Sequence, residues 1–433
     1  MRSKTKSTAT KENGSPQLVP QLRFPEFQGA EAWKIERLGN LFSDRQESGL
    51  TGLPLLSLMD KEGIVPQEDS NRKNNSNSDK SKYLRVVPGD IAYNTMRMWE
   101  GRSAYVGLEG LVSPAYTVCE PRSGVHSLFF SHYFKTPQLI EQFRRYSQGL
   151  VKDTLNLKYA AFSQISVPLP IYPEQQKIAQ CLSSVEKLIA AQAQKVAALK
   201  THKKGLMQQL FPREGETQPR LRFPEFQTAV EWVEQPFSNL CDIKHGYAFE
   251  SEFFSNEGEH VLLTPGNFYE EGGYRDRADK QKYYSGEIPR DYVLAEGDML
   301  VAMTEQAAGL LGSPLIVTES DKFLHNQRLG LITKKHGVAC ANEFFFHVFN
   351  TQRVRKAIHD TASGAKVRHT SPTKIGEVVV SVPTTLLEQQ RIARCLSNLD
   401  ALITAETQKL DALKIHKKGL MQLLLPSPEE DAA

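Results

Sequence analysis

Apolar residues recur along two long stretches of the chain, 174–212 and 388–426, in alternating steps of four and three residues. A mean step of 3.5 residues is typical of a coiled-coil seam, so the pattern predicts long helices over 173–211 and 387–425. A proline ends each stretch and prevents a further helical turn. The predicted seam residues are Ile178, Leu182, Val185, Ile189, Val196, Leu199, Leu206, Leu210, Ile392, Leu396, Leu399, Ile403, Leu410, Leu413, Leu420 and Leu424.

Four polar residues occupy the remaining seam positions: Gln192, Lys203, Glu406 and Lys417. Polar residues at such positions can fix the register of a coiled coil. A single long helix with one apolar seam would be costly to expose to water, and its simplest partner is the other helix. We therefore expect the two helices to pair in antiparallel orientation.

The two helices belong to a tandem repeat. The string RFPEFQ occurs at Arg23–Gln28 and again at Arg222–Gln227, 199 residues later, and Trp33 and Trp232 follow the two copies. The helical stretches begin EQQKIAQCL and EQQRIARCL and are offset by 214 residues. These flanking segments barely differ, whereas the globular segments between them differ greatly. Plain duplication followed by drift in loops is the alternative explanation.

Each globular segment predicts an α+β domain. Apolar runs such as Ile91–Asn94 and Met299–Met303 predict short strands. One amphipathic helix follows in each copy, over Leu128–Gln148 and Glu343–Ala362, and stops near a glycine.

A return strand then precedes each long helix, at Ile165–Leu169 and Val378–Val382. The sequence thus predicts two repeated α+β domains joined by two long antiparallel coiled-coil helices. The expected boundaries are a flexible leader (1–20), a first domain (21–172), a long helix (173–211), a linker (212–219), a second domain (220–386), a second long helix (387–425) and a tail (426–433).

Composition is that of a globular protein of more than one domain, with 433 residues, 40% of them apolar and 24% charged. No apolar run reaches the roughly 18 residues that would cross a membrane. The five cysteines are widely spaced and form no CxxC pair, which argues against a disulfide framework or zinc site and predicts a reducing cytoplasm. The net charge of +3 neither favours nor excludes nucleic acid.

Cofactor motifs are missing from the sequence. It contains no GxxxxGK[ST] phosphate loop, no GxGxxG, no N/D-PP-Y/F string and no cluster with metal-ligand spacing. An enzyme with its own cofactor or metal site is therefore not predicted.

Polar side chains on loops and strand ends supply the chemistry that reads base edges in DNA, because Arg, Lys, Asn and Gln can form paired hydrogen bonds there. A solvated loop side chain is the alternative for each of them. The candidates are Asn94, Thr95, Arg97, Trp99, Arg102 and Lys152 in the first copy, and Tyr247, Thr304, Gln306, Asn326, Gln327, Arg328, Lys366, Arg368 and His369 in the second.

The chain resembles the specificity subunit of type I restriction–modification systems. The likeness rests on the duplicated EQQ…HKKGLMQ helices, on the PEF…W and GDI/GDM segments, and on NQRLGLI and SGAKVRHTSPTKIGEVVVSVP. It implies two target recognition domains that each read one part of a bipartite DNA site, and a coiled coil that sets the distance between them. It also implies a non-catalytic chain on which two methyltransferase subunits dock and which restriction subunits join. S-adenosylmethionine, ATP and Mg²⁺ would belong to those partners.

Two other functions remain open. The chain could be a structural spacer whose globular halves bind protein partners, or a self-sufficient nuclease or methylase. The recognised bases do not follow from the sequence.

Overall fold

The computed structural model describes residues 18–59, 63–70, 79–305, 309–364 and 367–426. Most of the predicted leader and tail lies outside these ranges, as do the candidates Gln306 and Lys366. The chain divides into two compact units. One contains the residues up to Gln192 and those from Lys409 onward, and the other is Ala193–Gln408. Both are mixed α/β structures.

Strands of the first unit form one four-stranded antiparallel sheet, in the order β2–β9–β6–β7, and three antiparallel pairs, β1–β10, β3–β4 and β5–β8. The strands are β1 (Lys34–Arg37), β2 (Phe42–Asp44), β3 (Leu56–Met59), β4 (Gly63–Pro66), β5 (Leu84–Val86), β6 (Ile91–Asn94), β7 (Ser103–Tyr105), β8 (Gly110–Val112), β9 (Tyr116–Pro121) and β10 (Ser166–Leu169).

The helix predicted in the middle of this unit differs from the one observed. The single helix expected over Leu128–Gln148 is two helices, because Pro137 has no N–H to donate and holds Thr136 in an extended conformation, with ψ 144°. The second of them ends at Tyr146, before Gly149. The helices are α1 (Leu38–Leu41), α2 (Ser127–Tyr133), α3 (Pro137–Tyr146), α4 (Tyr159–Phe162) and the first long helix, α5 (Tyr172–Leu210).

The second unit repeats the central sheet as β12–β20–β16–β18 and adds a sheet β13–β15–β14–β19, in which β14 and β19 are parallel, and the pairs β11–β22 and β17–β21. The strands are β11 (Val233–Pro236), β12 (Cys241–His245), β13 (Phe254–Ser255), β14 (Val261–Leu262), β15 (Tyr283–Tyr284), β16 (Met299–Ala302), β17 (Thr304–Glu305), β18 (Pro314–Ile316), β19 (Phe323–Leu324), β20 (Leu329–Lys334), β21 (Arg368–His369) and β22 (Val379–Val382).

The helix expected over Glu343–Ala362 is also divided. Thr351 starts a new helix by accepting the backbone N–H of Val354 on its hydroxyl at 3.4 Å. This helix ends at Asp360, before Gly364. The helices are α6 (Phe237–Leu240), α7 (Asn342–Phe349), α8 (Gln352–Asp360), α9 (Pro372–Gly376) and the second long helix, α10 (Leu386–Leu424).

The long helices α5 and α10 contain 39 residues each and begin and end one residue earlier than predicted. Every predicted seam residue is buried or partly buried. Within the second unit, ion pairs join the helices at Lys203–Asp400 and Lys195–Glu406. Within the first unit, Lys417 pairs with Glu186. Across the part of the chain that the structure describes, no helix has the length and apolar character of a membrane span.

Each unit encloses the start of one long helix and the end of the other. In the first unit, Ile178 of α5 and Leu424 of α10 join one apolar core, and the backbone N–H of Leu22 donates to Leu423 at 2.9 Å. The second unit has the equivalent bond, from Leu221 to Gln209, also at 2.9 Å. The residue just before each RFPEFQ segment therefore binds the end of a long helix.

The EQQ motif fixes the first turn of each long helix. The amide of Gln175 accepts the backbone N–H of His126 at 2.9 Å and donates to the carbonyl of Pro170 at 2.9 Å. Gln389 makes the same two kinds of bond, from Ala341 at 3.2 Å and to Pro383 at 3.1 Å. The identity between the repeats at this motif thus has a structural cause.

Candidate nucleic-acid interface

The segment NTMRMWEGR forms a tight turn at the end of β6. Asn94 accepts the backbone N–H of Met96 on its side-chain oxygen at 3.0 Å, and the hydroxyl of Thr95 donates to the carbonyl of Ala115 at 3.0 Å. The indole N–H of Trp99 donates to the carbonyl of Met96 at 3.0 Å. Asn94, Thr95 and Trp99 therefore use these polar groups to hold the turn.

Two arginines of this turn share one carboxylate. Arg97 contacts Glu100 at 3.0 Å and Arg102 contacts the same side chain at 3.2 Å. All three side chains are partly exposed. Since guanidinium groups fit both base edges and phosphate oxygens, Arg97 and Arg102 are the groups of this turn that can contact a duplex. Glu100, which sequence reasoning missed, is an acidic partner that both arginines share.

Lys152 lies on a loop that an antiparallel bridge between Gln148 and Asn156 closes. The two residues exchange backbone hydrogen bonds of 2.9 and 2.8 Å. Leu157 then donates its backbone N–H to the carbonyl of Thr95 at 2.9 Å. This bond joins the loop to the NTMRMWEGR turn, so the described candidates of the first unit lie on adjoining segments.

In the second unit, Tyr247 lies against the turn that contains Asn326 and Gln327. The backbone N–H of Tyr247 donates to His325 at 2.9 Å, and Gln327 donates to the carbonyl of Tyr247 at 2.9 Å. Gly246 permits this approach, because a Cβ there would lie 2.1 Å from the carbonyl oxygen of Asn326. Tyr247 thus comes together with two candidates that are distant from it in sequence.

Arg328 continues the same turn and connects it to other candidates through Met303. The carbonyl of Arg328 accepts the backbone N–H of Met303 at 3.0 Å, and the carbonyl of Met303 accepts that of Thr370 at 3.0 Å. Thr304 lies opposite His369 in the β17–β21 pair. These candidates therefore line one continuous stretch of hydrogen-bonded backbone.

Arg368 lies opposite Glu305 in the same strand pair, and its guanidinium contacts the ring of His359. The carboxylate of Glu305 accepts three consecutive backbone N–H groups, from Gly309 to Leu311, at 2.9–3.1 Å. Glu305 thereby fixes the backbone beside the strand pair, while Arg368 supplies positive charge there.

Two candidates of the second unit are buried. Thr304 is 6% exposed and its hydroxyl lies 3.4 Å from Nδ1 of His369, while Asn326 is 8% exposed and accepts the backbone N–H of Arg328 at 3.2 Å. Both side chains shape the surface from within. Gln327, Arg328 and His369 are exposed and can reach a ligand.

The first unit has the same backbone connections as those around Met303. Thr95 donates its backbone N–H to the carbonyl of Ala115 at 3.1 Å and accepts the N–H of Leu157 at 2.9 Å. Thr95 thus corresponds to Met303, and Ala115 to Arg328.

This correspondence reveals a turn that sequence reasoning missed, Ser113–Pro114–Ala115. The hydroxyl of Ser113 accepts a backbone N–H two residues later at 3.3 Å, as Asn326 does. Pro114 and Ala115 are exposed where the second unit exposes Gln327 and Arg328. Only the structure identifies this turn, because none of its side chains can form paired hydrogen bonds with a base edge.

His325 supports the second unit's turn from inside the core. Its Nε2 lies 2.9 Å from the carbonyl oxygen of Leu329, to which it donates. Burial, together with the nearby positive charge of Lys244, lowers the pKa of His325 to about 4. The ring is therefore neutral at neutral pH and adds no charge to the turn.

Among the described residues, no group of three or more His, Cys, Asp or Glu side chains is placed to bind a metal ion. The five cysteines are free.

Two stretches of the chain, residues 60–201 and 229–414, match the family model described as "Type I restriction modification DNA specificity domain". Together they cover more than half of the chain, with one stretch in each copy of the repeat. The chain belongs to the type I restriction–modification specificity subunits.

Curated specificity subunits show how far the likeness extends. The chain is 22% identical over 423 residues to the type I restriction enzyme MjaVIII specificity subunit of Methanocaldococcus jannaschii, over 94% of this chain and 96% of that protein. It is 26% identical over 196 residues to the type I restriction enzyme EcoBI specificity subunit of Escherichia coli, over 45% of this chain and 38% of that protein.

Solved structures share the fold. The S subunit of the type I restriction–modification system from M. genitalium has a TM-score of 0.58 at 13% identity, covering 95% of this chain and 100% of that one. A chain solved in work on complex assembly and conformational transition of the type I R-M system has a TM-score of 0.52 at 15% identity, with coverages of 90% and 97%.

Membership in the specificity-subunit family confirms the resemblance drawn from the repeated motifs. Specificity subunits are non-catalytic components of type I systems, and DNA recognition is the role of the family. The individual DNA-binding residues stay predictions, because family membership identifies no single side chain.

Proposed function

We propose that this specificity subunit reads a bipartite DNA site, one part with each unit. The observation that carries the proposal is the pair of equivalent turns, Ser113–Ala115 and Asn326–Arg328. The same backbone bonds present Pro114 and Ala115 in one unit and Gln327 and Arg328 in the other. Equivalent scaffolds with unlike exposed side chains suit two different half-sites, because bases differ in the donors and acceptors at their edges.

Base contacts in the second unit come from exposed side chains of its turn. Arg328 suits the paired acceptors of guanine, and Gln327 suits the donor and acceptor of adenine. In the first unit the equivalent turn offers no such groups, and Arg97 and Arg102 take that role, while Lys152 on the adjoining loop contacts the DNA backbone.

The long helices form an antiparallel coiled coil that sets the separation of the two parts of the site. In support, the residue numbers of the pairs Lys195–Glu406 and Lys203–Asp400 run in opposite directions along the two helices. Three of the four polar seam positions, Lys203, Glu406 and Lys417, take part in such pairs, as register-setting residues would. Each helix of 39 residues is about 58 Å long.

In this proposal, DNA methylation and cleavage are carried out by partner subunits. Two methyltransferase subunits dock on this chain and restriction subunits join them, with S-adenosylmethionine, ATP and Mg²⁺ bound by those subunits. The likeness to a chain solved in work on complex assembly of the type I R-M system supports this arrangement.

A domain exchange tests the proposal. Residues 220–384 are replaced by the corresponding segment of another specificity subunit, and the assembled methyltransferase complex is used to methylate genomic DNA. We expect long-read mapping of methylated adenine to show that one part of the recognised sequence changes while the other part stays the same. A change in both parts would contradict the modular assignment. A wild-type complex that leaves no sequence pattern would favour a structural spacer that binds only proteins.

A further inference from the structure

The loop 148–156 of the first unit holds two adjacent apolar side chains in solvent. Leu150 is fully exposed, at 101%, and Val151 is 61% exposed. Among the described residues, Leu150 is the most exposed of the large apolar side chains. A single exposed leucine is ordinary on a protein surface, so its meaning depends on how the loop is held and on what surrounds it.

Hydrogen bonds make this loop rigid. The backbone N–H of Thr154 donates to Val151 at 2.9 Å, and the hydroxyl of Thr154 donates to the same carbonyl at 3.0 Å. Gly149 has φ 141°, and a Cβ there would lie 2.5 Å from the carbonyl oxygen of Thr154. Because Gly149 and Thr154 fix the backbone on both sides, Leu150 is held away from the core. The backbone that carries Leu150 is therefore held in place.

The loop adjoins the proposed DNA surface of the first unit at two points. Leu157, just beyond the loop, donates its backbone N–H to Thr95 at 2.9 Å. Helix α3, which leads into the loop, packs on the same turn through Ile140, whose Cδ1 would lie 3.0 Å from a Cβ at Gly101. The loop that carries Leu150 is thus joined to the NTMRMWEGR turn.

Charge around the loop is positive. Residues 141–158 contain four basic side chains, Arg144, Arg145, Lys152 and Lys158, and two acidic ones, Glu141 and Asp153. Arg144 and Arg145 both pair with Glu141, but the segment keeps a net positive charge. A polyanion fits an apolar side chain on such a basic segment better than an apolar protein surface does, since lysine and arginine contact phosphates while the apolar group leaves water.

We propose that Leu150 inserts between two base pairs of the half-site read by the first unit. The idea rests on the proposed function and deepens it. Apolar side chains can open a base step and kink a duplex, and Lys152, two residues along the rigid loop, would hold a phosphate next to the opened step. Val151 covers the base that Leu150 unstacks.

The insertion is confined to one half-site. The equivalent loop of the second unit is closed by the bridge Ser363–His369 and reads SGAKVRH, without a leucine. The first half-site is therefore distorted and the second is not. At the point of insertion we expect a preference for base-pair steps that open easily, although no side chain reads that step by hydrogen bonds.

Fluorescence of 2-aminopurine tests the insertion. The complex with methyltransferase subunits is bound to duplexes that carry the probe at successive positions of the first half-site. We expect the wild-type complex to raise the fluorescence at one step. We expect Leu150→Ala to remove that rise and to weaken specific binding by about tenfold. Leu150→Met, which keeps a large apolar side chain, should retain the fluorescence rise and the affinity of the wild type.

Leu108→Ala is the matched control, because Leu108 is also exposed in the same unit, at 47%, but stands beside the acidic Glu109. We expect it to change neither signal. If the Leu150→Ala complex binds its site as tightly as the wild type and gives the same fluorescence rise, the insertion is overturned. The proposed function is unaffected by that result. If Leu150→Ala impairs assembly with the methyltransferase subunits, while the complex that still forms gives the wild-type fluorescence rise, the insertion is overturned and Leu150 contacts a protein subunit instead. Absence of specific binding by the wild-type complex overturns both proposals.

Discussion

Arg222 and Glu388 form a buried ion pair through two hydrogen bonds, from Nε and Nη2 of the guanidinium to the two carboxylate oxygens, both at 2.7 Å. Arg23 and Glu174 make the same pair in the first unit, at 2.8 and 2.7 Å. Each arginine belongs to RFPEFQ and each glutamate to the first turn of a long helix. The pair explains why these two motifs recur together in both copies.

Loss of Arg222 is expected to destabilise the second unit. Glu388 is 1% exposed, so Arg222→Ala leaves a buried carboxylate without its counter-charge, at a cost of about 3–5 kcal/mol in the free energy of unfolding. Hydrogen exchange in denaturant measures the loss separately in each unit. The control is Arg391→Ala, since Arg391 pairs with Glu225 at 3.0 Å in solvent and its removal should change little. Equal effects of the two variants would contradict this role for Arg222.

The second unit is expected to lose stability in acid because of two buried histidines. Burial and the charge of Lys203 lower the pKa of His347 to about 3, and burial lowers that of His325 to about 4. In the unfolded chain both rings bind a proton near pH 6.5. Stability is therefore full above pH 6.5 and falls as the pH drops toward 4, by about 1.4 kcal/mol per pH unit for each ring.

Denaturant titrations from pH 7.5 to 4, read by hydrogen exchange in the second unit, measure this slope. His347→Gln is expected to remove about half of it. His336, which is exposed in the same unit, provides the control, because His336→Gln should leave the slope unchanged. A slope that survives both His347→Gln and His325→Gln would mean that other groups cause the acid sensitivity.

The long helices were predictable from sequence because their signal is local. Steps of 3.5 residues and a terminal proline place both helices to within one residue. The same kind of signal failed at α2–α3, where the amphipathic pattern continues across Thr136 although Pro137 interrupts the helix. A periodic pattern reports which face is buried and does not show that the backbone is continuous.

The candidate surface was only partly predictable, because its contacts are distant in sequence. Tyr247 and Gln327 carry suitable side chains, but nothing local indicates that their backbones are bonded. Thr304 and Asn326 have suitable side chains as well, yet both are buried. The turn at Pro114 was not predicted, because Pro114 and Ala115 are not residue types that read bases. The importance of this turn lies in its position in the fold, which residue type does not reveal.

Charge exchange between the long helices tests their proposed pairing. Lys203 contacts Asp400 within the second unit. Lys203→Asp or Asp400→Lys alone places like charges together and should lower the melting temperature, while the double exchange should restore most of it. Calorimetry of the three variants gives the coupling energy, for which we expect about 0.5–1 kcal/mol. A coupling energy near zero would argue against this register.

Removal of the charge on Glu100 should increase non-specific DNA binding. Glu100 contacts both Arg97 and Arg102, so Glu100→Gln removes a negative charge that competes with phosphate for these guanidinium groups. We expect tighter binding to unrelated duplexes and a steeper dependence of affinity on salt, by about one phosphate contact. Titrations of the assembled complex at several salt concentrations measure both. The control is Glu109→Gln, because Glu109 pairs instead with Arg85; equal salt slopes for the two variants would contradict the role of Glu100.

Arg328 is expected to determine one base pair of the half-site read by the second unit. Arg328 is exposed on a turn that backbone bonds to Met303 and Tyr247 hold in place, so its removal should not disturb the fold. Arg328→Ala should reduce discrimination at that base pair by about 1–3 kcal/mol and leave the first half-site unchanged. Methylation of a library of half-site variants by the assembled complex measures discrimination at every position. Ala115→Gly, at the equivalent position of the first unit, is the control and should alter no base preference. Uniform weakening across all sequences would instead identify Arg328 as a phosphate contact, since phosphates carry no base information.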